Sequence, residues 1–449
     1  MRLEPRVRRR IMRPVEIGSY YFFMTPQPKP STESFFGLGI APKLLEILEK
    51  NHFETPTPIQ TKAIPIGVEG NDLVGIAQTG TGKTLAFAIP MIQRLAATKG
   101  RGLVLLPTRE LAIQVSETFE KIGRGIHLQS AVLIGGASMG PQIRAVKNDP
   151  HVIVATPGRL IDHLNQGTVK LNRVNILVLD EADRMLDMGF APQIKRILET
   201  IPKERQTMLF SATMPGEIAR LAAGYMKLPV RIEVAPSGTA SERVEQELFV
   251  VQKNDKVRLL EKLLGEYHGT VLVFSRTKHG ARKICRSLKH MEHSAAEIHS
   301  DRSLSQRRDA LEGFKNGKYR VLVATDIAAR GIDVKGIELV VNFDLPDQAE
   351  DYVHRIGRTG RAGQAGKAIS FAMPDQGRDV RDIEKLIRLP LRITPLPELP
   401  PARTMSETAD VDREAYPRHR RQGQSKGRAG YGQRPAHSSS ERRRRTPNF

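Results

Sequence analysis

Two short strings carry the chemistry of this 449-residue chain. Ala77-Gln78-Thr79-Gly80-Thr81-Gly82-Lys83-Thr84 follows the apolar run Asp72-Leu73-Val74-Gly75-Ile76 and opens the helical pattern Leu85-Ala86-Phe87-Ala88-Ile89. In a strand-loop-helix setting, Gly80 and Gly82 let backbone N–H groups turn toward phosphates, beside the positive end of a helix. Lys83 then supplies a cation for the β- and γ-phosphates, and Thr84 a hydroxyl for Mg²⁺. The second string, Asp180-Glu181-Ala182-Asp183, ends the apolar run Asn175-Ile176-Leu177-Val178-Leu179, so its acids emerge at the carboxyl end of a strand. Asp180 is placed to hold the Mg²⁺ shell, and Glu181 to polarise an attacking water. Either string alone has an ordinary explanation, a chance match or a solvated acidic turn. In this order, each at a strand end, they predict hydrolysis of a nucleoside triphosphate.

The elements that must position these groups are legible as alternation. From Phe35 to about Val234, apolar runs such as Leu103-Val104-Leu105-Leu106, Ala131-Val132-Leu133-Ile134, Val152-Ile153-Val154-Ala155 and Thr207-Met208-Leu209-Phe210 alternate with helical patterns. Fully apolar strands between helices imply a parallel sheet covered on both faces. Ala235-Pro236-Ser237-Gly238-Thr239-Ala240-Ser241 is a linker by composition. The alternation then restarts with Val271-Leu272-Val273-Phe274, Val321-Leu322-Val323-Ala324 and Leu339-Val340-Val341-Asn342, without a second phosphate loop. The expected fold is α/β, with two doubly wound parallel-sheet domains in tandem and disordered basic termini. Expected boundaries are a leader at 1–31, a first domain at 32–234, a linker at 235–243, a second domain at 244–389 and a tail at 390–449.

Composition narrows the partners. With 70 Lys and Arg against 49 Asp and Glu, the net charge of +21 and pI near 10.1 favour a polyanion, nucleic acid before a membrane surface. From Pro417 onward there are ten Lys/Arg against one acid, in Gly/Arg/Ser-rich sequence with too few apolar groups to fold. No run reaches the length of a transmembrane helix. The single cysteine, Cys285, excludes an internal disulfide, and its helical surroundings suit a buried thiol. These features read as a cytoplasmic protein.

With motifs distributed in order over both sheets, the chain resembles the DEAD-box RNA helicases. The resemblance covers about 355 residues, from Phe35 to about Leu389. It implies that both domains are RecA-like, that the cofactors are ATP and Mg²⁺, and that the partner is RNA. Phe53-Glu54-Thr55-Pro56-Thr57-Pro58-Ile59-Gln60 matches the family's adenine-reading motif. Gln60 can pair bidentately with an adenine edge and Phe35 can stack on the base. Ala77 to Thr84 then hold the nucleotide. His52 stands where the family usually has Gly, which affects the local turn.

Pro107-Thr108-Arg109-Glu110-Leu111-Ala112, Gly135-Gly136 and Thr156-Pro157-Gly158-Arg159 resemble the RNA-backbone motifs of the first domain. Hydroxyls, Gly N–H groups, helix starts and Arg suit phosphate and ribose without reading bases. Ser211-Ala212-Thr213 resembles the motif that couples hydrolysis to strand separation, with Asp183 and the second domain as its partners. Ala324-Thr325-Asp326-Ile327-Ala328-Ala329-Arg330-Gly331-Ile332-Asp333 resembles a combined motif in which Thr325 touches RNA, Gly331 the nucleotide and Asp333 its ribose. In His354-Arg355-Ile356-Gly357-Arg358-Thr359-Gly360-Arg361, the spacing of Arg358 and Arg361 lets a helical turn aim both guanidiniums alike. By resemblance they are arginine fingers toward the γ-phosphate, and His354 meets Asp183 or the Ser211/Thr213 motif. The family often carries Gln three residues before the Arg aligned with Arg307. Here Leu304 stands there, with Gln306 beside the Arg.

These readings predict a monomeric ATP-dependent RNA helicase that unwinds short duplexes or remodels RNA–protein complexes. An ATP-gated RNA clamp and a DNA translocase of the same architecture are the alternatives. Ribosome assembly and messenger turnover are equally open, with ribosomal or RNA-decay proteins as further partners.

Overall fold

A computed structural model of the chain describes residues 34–78, 80–98, 100–234, 244–329, 334, 336–360 and 366–401. Thr79, Gly331, Asp333 and Arg361, together with the leader and the basic tail, lie outside the described residues.

The first domain begins with α1 (Pro42–Lys50) and α2 (Pro58–Glu69), then β1 (Leu73–Ile76), α3 (Lys83–Thr98) and β2 (Arg101–Leu105). It continues through α4 (Arg109–Gly123), β3 (Ser130–Leu133), α5 (Met139–Lys147), β4 (Val152–Ala155) and α6 (Pro157–Asn165). Then follow β5 (Val174–Leu179), α7 (Ala182–Asp187), α8 (Ala191–Thr200), β6 (Gln206–Ser211), α9 (Gly216–Tyr225) and β7 (Val230–Glu233). The strands form one sheet in the order β3-β4-β2-β5-β6-β1-β7, with every pairing parallel.

The second domain holds β8 (Val244–Val250), α10 (Lys256–Glu266), β9 (Thr270–Phe274), α11 (Lys278–His290), β10 (Ala295–Ile298) and α12 (Leu304–Lys315). Its later elements are β11 (Val321–Ala324), α13 (Asp326–Ala329), β12 (Ile337–Asn342), α14 (Ala349–Ile356), β13 (Gly366–Ala372), α15 (Gly377–Ile387) and β14 (Arg392–Ile393). Its sheet, β10-β11-β9-β12-β13-β8-β14, is again parallel throughout.

Helices cover both faces of each sheet, which is why the central strands are apolar end to end rather than alternating. On one face of the first sheet, Phe87 packs between Phe119 and Phe210, with its ring centroid 5.6 Å from that of Phe210. The other face holds a second cluster around Ile153, Leu177, Leu179, Met185 and Ile197. The second sheet repeats the pattern, with Phe314, Tyr352 and Leu345 on one face and Leu259, Ile284, Leu288 and Phe371 on the other.

The fold runs past the boundary expected at 389. β14 adds to β8, Leu399 packs against the second domain's core, and Arg258 Nε donates to the Pro400 carbonyl at 2.6 Å. Proline lacks an N–H but keeps its carbonyl, so a Pro-rich strap can still be pinned by a guanidinium. A second difference concerns α14, which ends at Ile356. Arg358 lies in the following turn, its N–H on the Arg355 carbonyl, so a helix does not carry it as the three-residue spacing suggested.

Candidate functional site

Six motif loops of the first domain leave the carboxyl ends of strands, and strand order divides them into two sets. β3, β4 and β2 are neighbours on one half of the first sheet; β5, β6 and β1 are neighbours on the other. Gly136, Thr156 and Thr108 follow the first three strands, whereas Asp180, Ser211 and Ala77 follow the second three. One sheet edge therefore presents two adjacent sites, as open α/β sheets do.

In the second set, Gly80 and Gly82 take φ of +83° and +87°, a region that only glycine enters at no steric cost. Thr81 Oγ1 donates to the Gln78 carbonyl at 2.7 Å, and Lys83 Nζ, buried at the first position of α3, donates to the Ala77 carbonyl at 2.9 Å. Thr84 follows Lys83 in the first turn of α3. Gln60 is 3% exposed, and both ends of its amide are bonded, with one N–H and one acceptor lone pair left over. Its Oε1 accepts from Thr57 N at 2.9 Å, closing a capping box, and its Nε2 donates to the Gly82 carbonyl at 2.9 Å. The amide expected to read a base thus also braces the phosphate loop. Phe35 is 5% exposed within the first domain's apolar cluster, while its neighbour Phe36 is exposed.

The acids are deeply set. Asp180 is 4% exposed, and burial pushes its carboxyl up to about 6 against the pull of Lys83. Its Oδ1 accepts from Glu181 N at 2.9 Å. Glu181 has φ of +50°, a conformation that costs a non-glycine residue of order 1–3 kcal/mol and that clusters at active sites. Asp183 Oδ2 accepts from Ala212 N at 3.1 Å, Thr213 N at 2.9 Å and Thr213 Oγ1 at 2.9 Å. Asp183 N donates to Ser211 Oγ at 3.3 Å. The described hydrogen bonds of Asp183 all lie within the first domain, and none joins it to His354, 9% exposed on α14.

In the first set, Thr108 and Thr156 cap α4 and α6, and Pro107 precedes the Thr108 cap. The Arg109 guanidinium lies over Gly136, where a Cβ would stand 2.1 Å from Nη1. Gly136 has φ of +73°, and Arg159 Nη1 donates to the Ala137 carbonyl at 3.1 Å. These contacts draw the three loops together. Gly158 would meet nothing within 4 Å if it carried a Cβ, which leaves that loop open for approach. Thr325 follows β11 in the second domain, and its N–H donates to the Ile298 carbonyl at 3.3 Å.

Three ion pairs escaped the sequence reading. Arg355, 1% exposed, binds Asp326 bidentately at 2.6 and 2.7 Å and lies over the Phe274 ring. Arg184 of α7, 2% exposed, pairs with Asp351 of α14 across the domains. Arg307 of α12 pairs with Glu110 of α4 at 2.8 Å. Charged residues embedded in motif strings were the available signal, because Arg and Asp are almost never buried without a partner. The Leu304 departure is also accounted for. Leu304 packs against the first domain's apolar cluster, and Gln306 serves a capping box with Ser303.

A phosphate loop after β1, a buried carboxylate pair after β5 two strands away and a second domain tied to that edge define a two-domain P-loop ATPase. The chain matches the DEAD/DEAH box helicase model over residues 57–221 and the helicase conserved C-terminal domain model over 255–363. It is 44% identical over 354 residues to the ATP-dependent RNA helicase CshA of Listeria monocytogenes, covering 78% of this chain and 68% of that one. It is 43% identical over 355 residues to the DEAD-box ATP-dependent RNA helicase CshA of Geobacillus kaustophilus, covering 78% and 76%. Among solved structures, S. cerevisiae Dbp5 bound to RNA and ADP BeF3 matches with a TM-score of 0.74 at 30% identity, over 81% of this chain and 96% of that one. The chain belongs to the DEAD-box family of ATP-dependent RNA helicases.

Proposed function

We propose that the two halves of the sheet edge divide the work of an ATP-dependent RNA helicase. The observation that carries this reading is the strand order, which sets the phosphate loop and acids beside, but apart from, the Thr/Gly/Arg loops. The backbone N–H groups of residues 77–84 and Lys83 hold the triphosphate, while Gln60 and Phe35 select and seat adenine. Gly331 and Asp333 complete the nucleotide site from the second domain. Glu181 orients and deprotonates the attacking water, and Arg358 and Arg361 steady the charge that develops on the γ-phosphoryl group.

Thr84 and Asp180 would hold Mg²⁺. Their hydroxyl and carboxylate are hard oxygen donors, and an ion beside the buried Asp180 favours its ionised form. Among the described residues no group of three or more His, Cys, Asp or Glu could hold a metal alone, so the ion would be shared with the phosphates. When bound, Mg²⁺ neutralises phosphate charge.

Pro107, Thr108, Arg109, Gly136, Thr156, Gly158 and Arg159, with Thr325 opposite, grip an RNA backbone. Recognition of RNA over DNA rests on 2′-hydroxyls, and base sequence is read weakly. Asp183, fixed by Ser211 and Thr213, links the nucleotide to closure, with His354 as its partner from the second domain. ATP and RNA both favour the closed form, so each tightens the other. The protein acts as a monomer in the cytoplasm, and no helix among the described residues is long and apolar enough to cross a membrane. The test is ATPase stimulation by RNA and by DNA of the same sequence, with strand displacement followed in parallel. Stimulation confined to RNA, with displacement, is expected; equal stimulation by DNA or absent displacement would overturn the reading.

A further inference from the structure

α11 is thirteen residues long, KHGARKICRSLKH, with five Lys/Arg, two His and no acid. Ala281, Ile284, Cys285 and Leu288 bury one face in the second domain's core. His279, Lys283, Arg286, Lys289 and His290 recur at helical spacing on the opposite face, and all five are exposed. The stripe runs about 17 Å along the axis at 1.5 Å per residue. Lys289 and His290 in the last turn complement the helix dipole, which is an ordinary use. Lys283 and Arg286 sit mid-helix, where the dipole asks for no cation.

A merely solvated face mixes signs, and α10, α12 and α15 do so, with Glu261, Lys262 and Glu266 on α10 and Arg378, Asp379, Arg381 and Asp382 on α15. Asp301 is occupied by Lys278 at 2.8 Å and Arg282 at 3.5 Å, at the start of the helix. Among the described residues, neither Lys283 nor Lys289 enters an ion pair. The helix also lies beside α10, whose Arg258 pins Pro400, so the chain leading to the basic segment is anchored on this side of the domain. A single-sign exposed stripe of this kind matches a polyanion, and phosphate repeats match its length.

We propose that the outer face of α11, through Lys283, Arg286 and Lys289, binds the phosphate backbone of an RNA segment lying outside the cleft between the domains. It holds the flanks of a long or structured RNA while the motif loops act on a short stretch. The proposal rests on the RNA-helicase reading and adds a site that the motif loops do not include.

The test compares the full-length protein with its K283Q/R286Q/K289Q variant, using a long RNA hairpin with a single-stranded extension and a short single-stranded oligonucleotide. The substitutions are on exposed positions, and an unchanged thermal midpoint checks that the fold is intact. Three lost phosphate contacts should flatten the salt dependence of hairpin affinity by about two units and weaken binding roughly tenfold at low salt. ATP turnover at saturating RNA and affinity for the short oligonucleotide should not change. Superimposable salt dependences on the hairpin would overturn the proposal, as would an equal loss on the short oligonucleotide. Failure of the short oligonucleotide to stimulate the wild type would instead count against the helicase reading itself.

Discussion

The Arg307 guanidinium meets the Glu110 carboxylate at 2.8 Å, with each side chain only 8% exposed. The two residues lie on helices of different domains, α4 and α12, so the pair is a bond between domains. Burial pulls the Arg307 guanidinium below its ordinary value while Glu110 opposes the shift. Leu304, one turn earlier on α12, packs against the first domain's apolar cluster. A buried pair losing one partner costs about 3–5 kcal/mol, but separated domains can rehydrate the orphaned carboxylate. The loss therefore falls on domain closure rather than on folding. Arg307→Ala should lower RNA-stimulated ATP turnover roughly tenfold or more, with the thermal midpoint nearly unchanged. Kinetics and calorimetry on one preparation decide; normal turnover with a lowered midpoint would make the pair a structural one.

Gln60 braces the Gly82 carbonyl and is the proposed adenine reader, so its loss should have two effects. Gln60→Ala should weaken ATP by removing both the base contact and the loop brace, each worth about 1 kcal/mol as a hydrogen bond. The wild type should reject GTP, whose purine edge reverses the donor and acceptor pattern. RNA-stimulated hydrolysis of both nucleotides is the measurement, and equal rates would contradict the assignment.

His52 takes φ of +59° in the turn after α1, where its N–H donates to the Glu49 carbonyl at 2.9 Å. A left-handed residue with a Cβ costs roughly 1–2 kcal/mol, partly offset by the entropy glycine loses on folding. His52→Gly should raise the stability of the first domain by about 1 kcal/mol and leave ATPase activity unchanged. A denaturant series that shows no gain, or a loss, would place a needed contact on the imidazole.

Burial raises the Cys285 thiol to about 11. Its thiolate is the reactive form, so near pH 9 the native protein should alkylate about fiftyfold more slowly than the unfolded chain. The rate difference should persist with RNA bound. Fast native alkylation would mean that α11 does not pack as described.

The fold was largely legible because parallel strands buried on both faces leave continuous apolar runs. Val152–Ala155 and Val321–Ala324 form strands with the bounds of their runs, and others differ by a residue or two. The strap at 394–401 was not legible, since proline composition signals a linker and conceals that Leu399 packs and Pro400 is pinned. The domain-bridging pairs were not legible either. Glu110 and Arg307 are 197 residues apart, Arg184 and Asp351 are 167 apart, and no periodicity connects such positions. The local shape of the phosphate loop was legible, because Gly80 and Gly82 take the positive φ and Lys83 the helix start that the string implies. The engagement of Gln60 with Gly82 and the burial of Phe35 depend on packing, which the motif strings do not encode.

RNA-dependent closure is proposed to let Glu181 activate water. Glu181→Gln preserves size and hydrogen bonding while removing the base. The direct measurement is ATP hydrolysis, with and without a short RNA duplex, by wild type and Glu181→Gln, with duplex separation and RNA retention read in the same mixtures. In the wild type RNA should raise turnover and the duplex should separate only with ATP. The variant should lose about 10²–10⁴-fold in turnover yet retain RNA tightly with ATP. Near-normal turnover by the variant, or wild-type hydrolysis indifferent to RNA, would contradict the account.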